Sequence, residues 1–557
     1  MAFTGLVAYS RRHGQRHRLP VLFWVLLLTA VWATVQSLPL GGVFRFLMGS
    51  ATELWSVSGH EPARIAGNLV ESTHAGARYG LAALLFGAGF YFFQTTDRID
   101  RLIGLVVGSG VLCVGIAFVS GWLDPNHVLF FYEPNMGPVR PGWRGPFVNP
   151  DLFGAYVAVG AVLALGRGLS LRAQQVRFAH YSMFVVLMVG VICSYSLSAF
   201  IAGAIGTLAV LLNLFRHTHR PAGLLETVLL LVVAAGSIVG AMIVFGMAPS
   251  PGSALREQLA SLAELPSIWS RVLGVAFANP LFGVGAGAQS DLLMLQGEGT
   301  TSIWFARNQI LQWCVDFGLP MAGLLCTATW FAVRRVFQRW HTEDIPTMIP
   351  IGGAIAALLV VGALDFSIET TSFGVMAVLL VSALNGRAYR YGSRTSRFKV
   401  LAALHRAPKR VAFGAALAVA LFAATWSTIL WAGDAMARER VGTVSDRGEL
   451  IESADRLLAH RPGDGALYRA VGRRLVELGD LQGGAEWLTK AQNRLPADWR
   501  TSQWLGLTYV RLGQDELGAQ HLRTAWGQLR DFEEAEAAEP NSSSSDEVIS
   551  EQQVSFL

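Results

Sequence analysis

Charge and cysteine are both scarce in this chain of 557 residues: 15% of the residues are charged and four are cysteine. Cys113, Cys193, Cys314 and Cys326 all fall inside apolar runs and form no C-x-x-C pair, which excludes a disulfide framework and a thiolate zinc site. No D-x-D pair occurs, so a metal-bridged diphosphate is not suggested, and no metal or cofactor is expected. What is abundant is apolar surface. With 52% hydrophobic residues and a mean hydropathy of +0.41, the chain is too apolar for a soluble multidomain protein and reads as a polytopic membrane protein.

Charge divides the chain in two. Residues 1–431 carry 30 Lys and Arg against 18 Asp and Glu, whereas residues 432–557 carry 14 against 21. Because most of the first set sits in short loops between apolar segments, the basic balance sets topology and does not imply nucleic acid. A helix needs about 20 apolar residues to cross hydrocarbon. Eleven such runs are predicted, at 21–40, 79–94, 102–122, 150–166, 180–195, 198–215, 223–246, 308–333, 346–364, 372–386 and 411–431. The first follows a basic stretch but is long and lacks a clear small-residue cleavage site, so it reads as a span and not a cleaved leader. With the N-terminus inside, the inner loops hold 22 Lys and Arg and the outer loops 8, which orients the chain. The soluble C-terminal part is then expected outside, in the periplasm if the cell is Gram-negative.

Three outer segments, 41–78, 123–149 and 247–307, are longer than turns and are candidates for function. The last, rich in Pro, Gly, Trp and apolar residues, is expected to be an ordered loop lying against the membrane face. Beyond residue 432 a period of 34 emerges. Pro462, Asp464, Gly472, Leu478, Gly479, Leu488 and Ala491 recur as Pro496, Asp498, Gly506, Leu512, Gly513, Leu522 and Ala525. That is the tetratricopeptide pattern of stacked helix pairs, preceded by a degenerate half-repeat from Ser453 to His460. The expected fold class is thus all-α: a polytopic membrane bundle (1–431) followed by a tetratricopeptide-like solenoid (432–530). An acidic, Ser-rich tail (531–557) is expected to be disordered.

The spans lack mid-membrane charge, which weakens an ion-coupled transporter, and Asp316, Asp365 and Glu369 lie near predicted outer ends. Arginine instead gathers in the long outer loops, at Arg140, Arg144, Arg256, Arg271 and Arg307. A guanidinium fork on that face suits phosphate, and a lipid-linked diphosphate is the anion to hand there, although any single arginine outside a motif is more readily explained by lipid headgroups or acidic neighbours.

Three of these arginines stand in motifs. Arg144-Gly145-Pro146-Phe147-Val148-Asn149-Pro150-Asp151 runs into the fourth span. Ser270-Arg271-Val272-Leu273 precedes Asn279-Pro280-Leu281-Phe282-Gly283-Val284-Gly285-Ala286-Gly287. Arg307-Asn308-Gln309 precedes Asp316-Phe317-Gly318-Leu319. The second contains a formal G-x-G-x-x-A, but no strand-turn-helix unit surrounds it, so a dinucleotide site is not supported. Asp316-Phe317-Gly318 is a kinase-like triplet without its companions.

Together the three motifs resemble the O-antigen ligase and O-antigen polymerase family over roughly residues 20–390. Its members carry R-x-x-G-x-F-x-N-P-N before a span, an R…P-x-x-G-x-G-x-G loop, and H-N-x9-G entering the next span. Among this chain's departures from that pattern, Arg307 stands where ligases have His, Ser196-Leu197-Ser198 where many members have S-R-G, and Asp151 where the second Asn is usual. Some polymerases of the family are described with ten residues between an Arg and a Gly, the spacing of Arg307 and Gly318, which favours polymerase.

The resemblance implies transfer of glycan from a polyprenyl diphosphate to a hydroxyl on the outer face of a bacterial inner membrane. Arg271 and Arg307 are expected to hold the diphosphate, with Arg144, Arg140, Asn149, Asn308 and Asp365 binding substrate. Asn149 and Asn308 can equally be helix caps. No general base is identifiable; His127, Glu133, Asp291 and Glu298 read as solvated loop residues. The repeat region is expected to recruit a polysaccharide-assembly protein or an acceptor. A ligase acting on lipid A-core or protein, a transporter with inverted repeats and broken helices, and a silent scaffold are the competing readings.

Overall fold

The structure, a computed structural model, describes residues 19–40, 64–123, 128–129, 142–218, 262–295, 305–338, 340–390 and 409–538. The predicted seventh span (223–246), Arg140, Arg256, His127, Glu133 and Glu298 lie outside them. Every regular element among the described residues is a helix, and the chain is an all-α protein.

The bundle comprises α1 (Val21–Ser37), α2 (Leu69–Phe92), α3 (Thr96–Leu123), α4 (Pro150–Ser170), α5 (Gln174–Cys193) and α6 (Leu197–Thr218). After it come α7 (Leu265–Ala278), α8 (Gln289–Leu295), α9 (Gln309–Phe317), α10 (Leu319–Val333), α11 (Ile345–Leu364), α12 (Thr371–Arg390) and α13 (Lys409–Thr443). Seven of these helices, α3, α4, α5, α6, α11, α12 and α13, are long and apolar enough to cross a membrane, as a multi-pass membrane protein requires. Two cores form. The larger is built by α3 to α6 with α11 and α12, and the other by α1, α2, α10 and α13.

In lipid the tails are as apolar as leucine, so close packing and not burial from water holds such helices together, and small residues mark the crossings. Central α4 shows this, with Ala155, Val157, Ala158, Val159 and Ala161 wholly enclosed. A Cβ on Gly166 would lie 2.7 Å from the Cα of Pro350 in α11. A Cβ on Gly80 would lie 2.9 Å from Ala420, where α2 runs against α13. One end of the bundle is tied by charge: Arg167 donates to Asp100 at 2.6 Å and to the Pro346 carbonyl at 2.8 Å, and Arg387 pairs with the fully buried Asp344.

Four expectations change. The predicted span 308–333 is broken into α9 and α10 at Gly318, whose φ of 84° belongs to the left-handed region that glycine adopts without strain. Pro320, which lacks an N–H, then fits the first turn of α10. The second span starts ten residues earlier than predicted, at Leu69, because Asn68 caps it by accepting from Glu71 N at 3.1 Å. The loop 247–307, read as non-helical, contains α7 and α8. Finally, the last helix, Asp515–Ala538, runs eight residues into the expected disordered tail.

The span α13 does not stop at residue 431. From Val411 to Thr443 the helix is 33 residues, about 50 Å, against about 30 Å of hydrocarbon, so it continues past the span into the C-terminal helices. There α14 (Arg447–His460), α15 (Gly465–Glu477), α16 (Leu481–Arg494), α17 (Trp499–Arg511) and α18 (Asp515–Ala538) form a helical repeat. Asp464 and Asp498 cap α15 and α17 alike, and Gly479 and Gly513 end the turns after them with φ of 89° and 76°. Gly472 lies against Leu488 and Gly506 against Leu522, so each helix pair closes at the same register.

A candidate anion site at the loop end of the bundle

The end of the bundle opposite the Arg387–Asp344 pair is where α4 and α9 begin and α11 ends. The first turn of α9 is capped by Asn308, whose Oδ1 accepts from Ile310 N at 3.0 Å and Leu311 N at 3.1 Å. Its Nδ2 donates to the Ala363 carbonyl at 3.2 Å, joining α9 to the end of α11. Asn308 is thus both a cap and a tie between elements. Arg307, just before it, is half-buried and has a φ of 48°. A non-glycine side chain in that region is strained unless its surroundings hold it. Here they do. Ala306 N donates to Gln312 Oε1 at 2.9 Å, Asn308 is tied to Ala363, and Gln309 Nε2 donates to Glu369.

Asp365 follows α11 and is 2% exposed. Its carboxylate accepts from Phe366 N at 2.8 Å and from the Ser367 hydroxyl. Burial pushes its pKa above the ordinary aspartate value and the charge of Asp151 adds to this, while those two hydrogen bonds and Arg307 act the other way. The largest charges felt by Asp365 are therefore those of Asp151 and Arg307, which come from the first and third motifs. Asp151 stands in the first turn of α4, where Asn149 Oδ1 accepts from Asp151 N at 2.8 Å, so Asn149 is a helix cap. Phe305 and Phe366 stack at 4.5 Å over the same junction.

Beneath it lies a polar network. Arg78 of α2 pairs with Glu369 at 3.0 Å and also donates to the Glu369 carbonyl. Gln312 Nε2 donates to Asp316 Oδ1 at 2.9 Å, and Trp313 Nε1 to the Tyr79 hydroxyl at 2.7 Å. The sequence reading left Arg78 in a loop and assigned no role to Gln309 or Gln312. The signal was present: Asn68 followed three residues later by Glu71 is an N-terminal helix signature that puts Arg78 two turns inside α2.

Two other predicted arginines stand on separate elements. Arg271 is half-exposed on α7, which packs across α9 through Val272, Val275 and Val315. Arg144 sits in the turn before α4, where Trp143 N donates to the Cys193 carbonyl at 2.8 Å and Phe147 N to Arg144 O at 3.0 Å; partial burial lowers its pKa. The glycine-rich loop is a structural wedge. Val284 N and Gly285 N donate to the carbonyls of Val315 and Asp316, and a Cβ on Gly285 would lie 2.7 Å from that of Ala66. Gln36, at the end of α1, donates to the carbonyls of Phe282 and Asp316.

Asp291, read as a solvated loop residue, is instead 3% exposed, and Arg461 of the helical repeat grips it with two hydrogen bonds of 2.8 and 2.6 Å. Among the described residues no group of three His, Cys, Asp or Glu side chains is arranged to hold a metal ion.

No protein-family model matches the chain, and no curated protein does. Among solved structures, a chain of a peptidoglycan synthase complex is similar at 15% identity with a TM-score of 0.33, covering 67% of this chain and 98% of that one. So loose a likeness carries no weight for function, which has to be read from the chemistry of the site.

Proposed function

We propose that the protein is a membrane glycosyltransferase of the O-antigen polymerase and ligase type, acting as a polymerase. Its donor is a polyprenyl-diphosphate-linked glycan and its acceptor the hydroxyl of a second lipid-linked glycan. The observation that carries this reading is Arg307, held in a left-handed backbone between pinned neighbours, with its charge and that of Asp151 both acting on the buried Asp365. Strain retained by surrounding contacts is characteristic of functional positions.

In the reaction, the acceptor oxygen attacks the anomeric carbon and the bond from that carbon to the diphosphate oxygen breaks. The diphosphate leaves with the bonding pair, and the acceptor hydroxyl loses its proton to a base. A guanidinium at the departing oxygens contributes about 2 to 4 kcal/mol of transition-state stabilisation. Arg307 fills that role, with Arg271 completing the diphosphate contacts and Arg144 and Arg140 holding the more distant part of the donor. Asp365, with both carboxylate oxygens engaged in its own turn, is a positioning residue that keeps negative charge beside Arg307.

The positive-inside count supports a bacterial inner-membrane location with the N-terminus cytoplasmic and the repeat periplasmic. The tetratricopeptide-like repeat then recruits an assembly protein. A ligase would use the same site with lipid A-core or protein as acceptor. A transporter of the lipid-linked glycan is the second reading that an observation favours, namely the helix break at Gly318.

The test is the profile of surface and lipid-linked glycans in a deletion strain complemented with the intact chain or with Arg307→Ala. Single-repeat material accumulating with the variant supports polymerisation, and full-length chains left on the carrier indicate a ligase. Undecorated carrier-linked units confined to the inner leaflet indicate transport.

A further inference from the structure

The helical repeat encloses a groove of about 640 Å³, inside the range of about 300 to 1,000 Å³ typical of ligand clefts. Arg438, Arg469, Arg473 and Arg500 line it together with Trp499 and Trp504. Its lip includes Leu529 of α18. With Arg474 there are five arginines on the wall against one acidic residue, Glu477, in a region where acids outnumber bases 21 to 14.

Carboxylates do approach these arginines: Arg438 pairs with Asp464, Arg469 with Asp498, and both Arg473 and Arg474 with Glu477. Asp464 and Asp498, however, also accept from Leu467 N and Thr501 N as helix caps, so their charge is shared with helix ends. The groove therefore keeps a positive balance. Consistently, the hydrogen bond from Arg473 holds the pKa of Glu477 below its ordinary value. Arg473 lies over the ring of Trp504 at 5.4 Å and Arg500 over that of Trp499 at 4.8 Å, so apolar faces and cations alternate along the wall.

We infer that this groove binds an acidic peptide with apolar side chains between its carboxylates, and that the occupant is the chain's own segment 539–557. That segment carries Glu539, Asp546, Glu547 and Glu551, no Lys or Arg, and Val548, Ile549 and Phe556 among them. It follows directly from α18, whose Leu529 is at the groove and whose last residue, Ala538, lies about 14 Å further along the helix. Nineteen residues span up to about 60 Å when extended, more than enough to return. The tether raises the local concentration of the segment to roughly millimolar, so even a weak intrinsic affinity gives substantial occupancy. Bound this way, the segment competes with any other anionic partner of the repeat.

The test uses the full membrane chain in detergent, a version ending at Ala538, and a fluorescent peptide of residues 539–557 as probe. The shortened chain should bind the peptide saturably, with an affinity that falls as salt rises. The intact chain should bind it about tenfold more weakly, because its own segment competes. Arg473→Glu with Arg500→Glu, both exposed positions, should weaken binding to the shortened chain about tenfold, and Arg500→Lys should largely preserve it. Equal binding by intact and shortened chains overturns the inference, as does indifference to the double arginine change in a protein whose melting is unaltered. Binding of an anionic oligosaccharide such as oligogalacturonate in the same groove, with none of the peptide, overturns it in favour of a glycan site. The readout is independent of glycosyl transfer and stands or falls apart from it.

Discussion

Replacing Arg461 by Ala should release the helical repeat from the bundle loop. Asp291 is 3% exposed and its two oxygens accept from Arg461 Nε at 2.8 Å and Nη2 at 2.6 Å. Burial pulls the Arg461 guanidinium down, but the hydrogen bonds and charge of Asp291 more than offset this, so its pKa is displaced upward and it stays charged. Removing one partner of such a pair leaves a buried carboxylate uncompensated, at a cost of about 3 to 5 kcal/mol while the docked geometry persists. The molecule can escape part of that cost by opening and hydrating Asp291. Amide exchange in α8, Gln289 to Leu295, should accordingly rise by roughly two orders of magnitude, the equivalent of about 3 kcal/mol. The double variant Arg461→Ala with Asp291→Ala should recover most of the protection, since no charge is then stranded. Arg461→Lys should fall between, because an ammonium cannot reproduce the two-pronged contact. If exchange in α8 is the same in the single and double variants, the pair is not coupled and the reasoning fails.

Other consequences are open to measurement. Arg307→Ala should lower polymer formation about a hundred- to a thousandfold with unchanged melting, whereas Arg78→Ala, which strands Glu369, should lower both; a glycan assay paired with thermal melting in detergent separates them. Asp365→Asn should depend on pH. Because burial raises the folded pKa of Asp365 above its unfolded value, the stability this group contributes is present at acid pH and lost as pH rises through the raised value. The Asn variant should therefore melt higher than the native chain at pH 8 and about equal to it at pH 4, with glycan transfer reduced; equal melting at both values refutes the assignment. Gly80→Leu should destabilise the α2–α13 crossing by about 1 to 3 kcal/mol or more, seen as a lowered melting temperature, because the new Cβ alone meets Ala420 at 2.9 Å.

Much of the architecture was legible along the chain. Apolar runs marked α3, α4, α5, α6, α11 and α12, with ends up to six residues off, because a span is identified by the summed transfer free energy of consecutive residues. Where local signals conflicted, the outcome differed. The run 308–333 is continuous in hydropathy, yet Gly318 and Pro320 divide it, and hydropathy does not register backbone conformation. Arg78 lowered the apolar score at the start of α2 although its charge is met inside the bundle by Glu369, 291 residues later.

The candidate site shows the same division. By itself the sequence determined which residues stand at helix starts, since Asn149 and Asn308 cap amides two or three residues away, and it determined the 34-residue recurrence of Asp464 and Asp498. Only the tertiary structure decided that the charges of Arg307 and Asp151 act together on Asp365 while Arg271 and Arg144 occupy other elements, and that Asp291 is a buried partner of Arg461. Caps and spans are set by interactions within a turn or a run of neighbours. The electrostatic environment of a carboxylate depends instead on which distant helices pack beside it, and that is settled by the close fit of small residues at crossings such as Gly166 with Pro350 and Gly80 with Ala420.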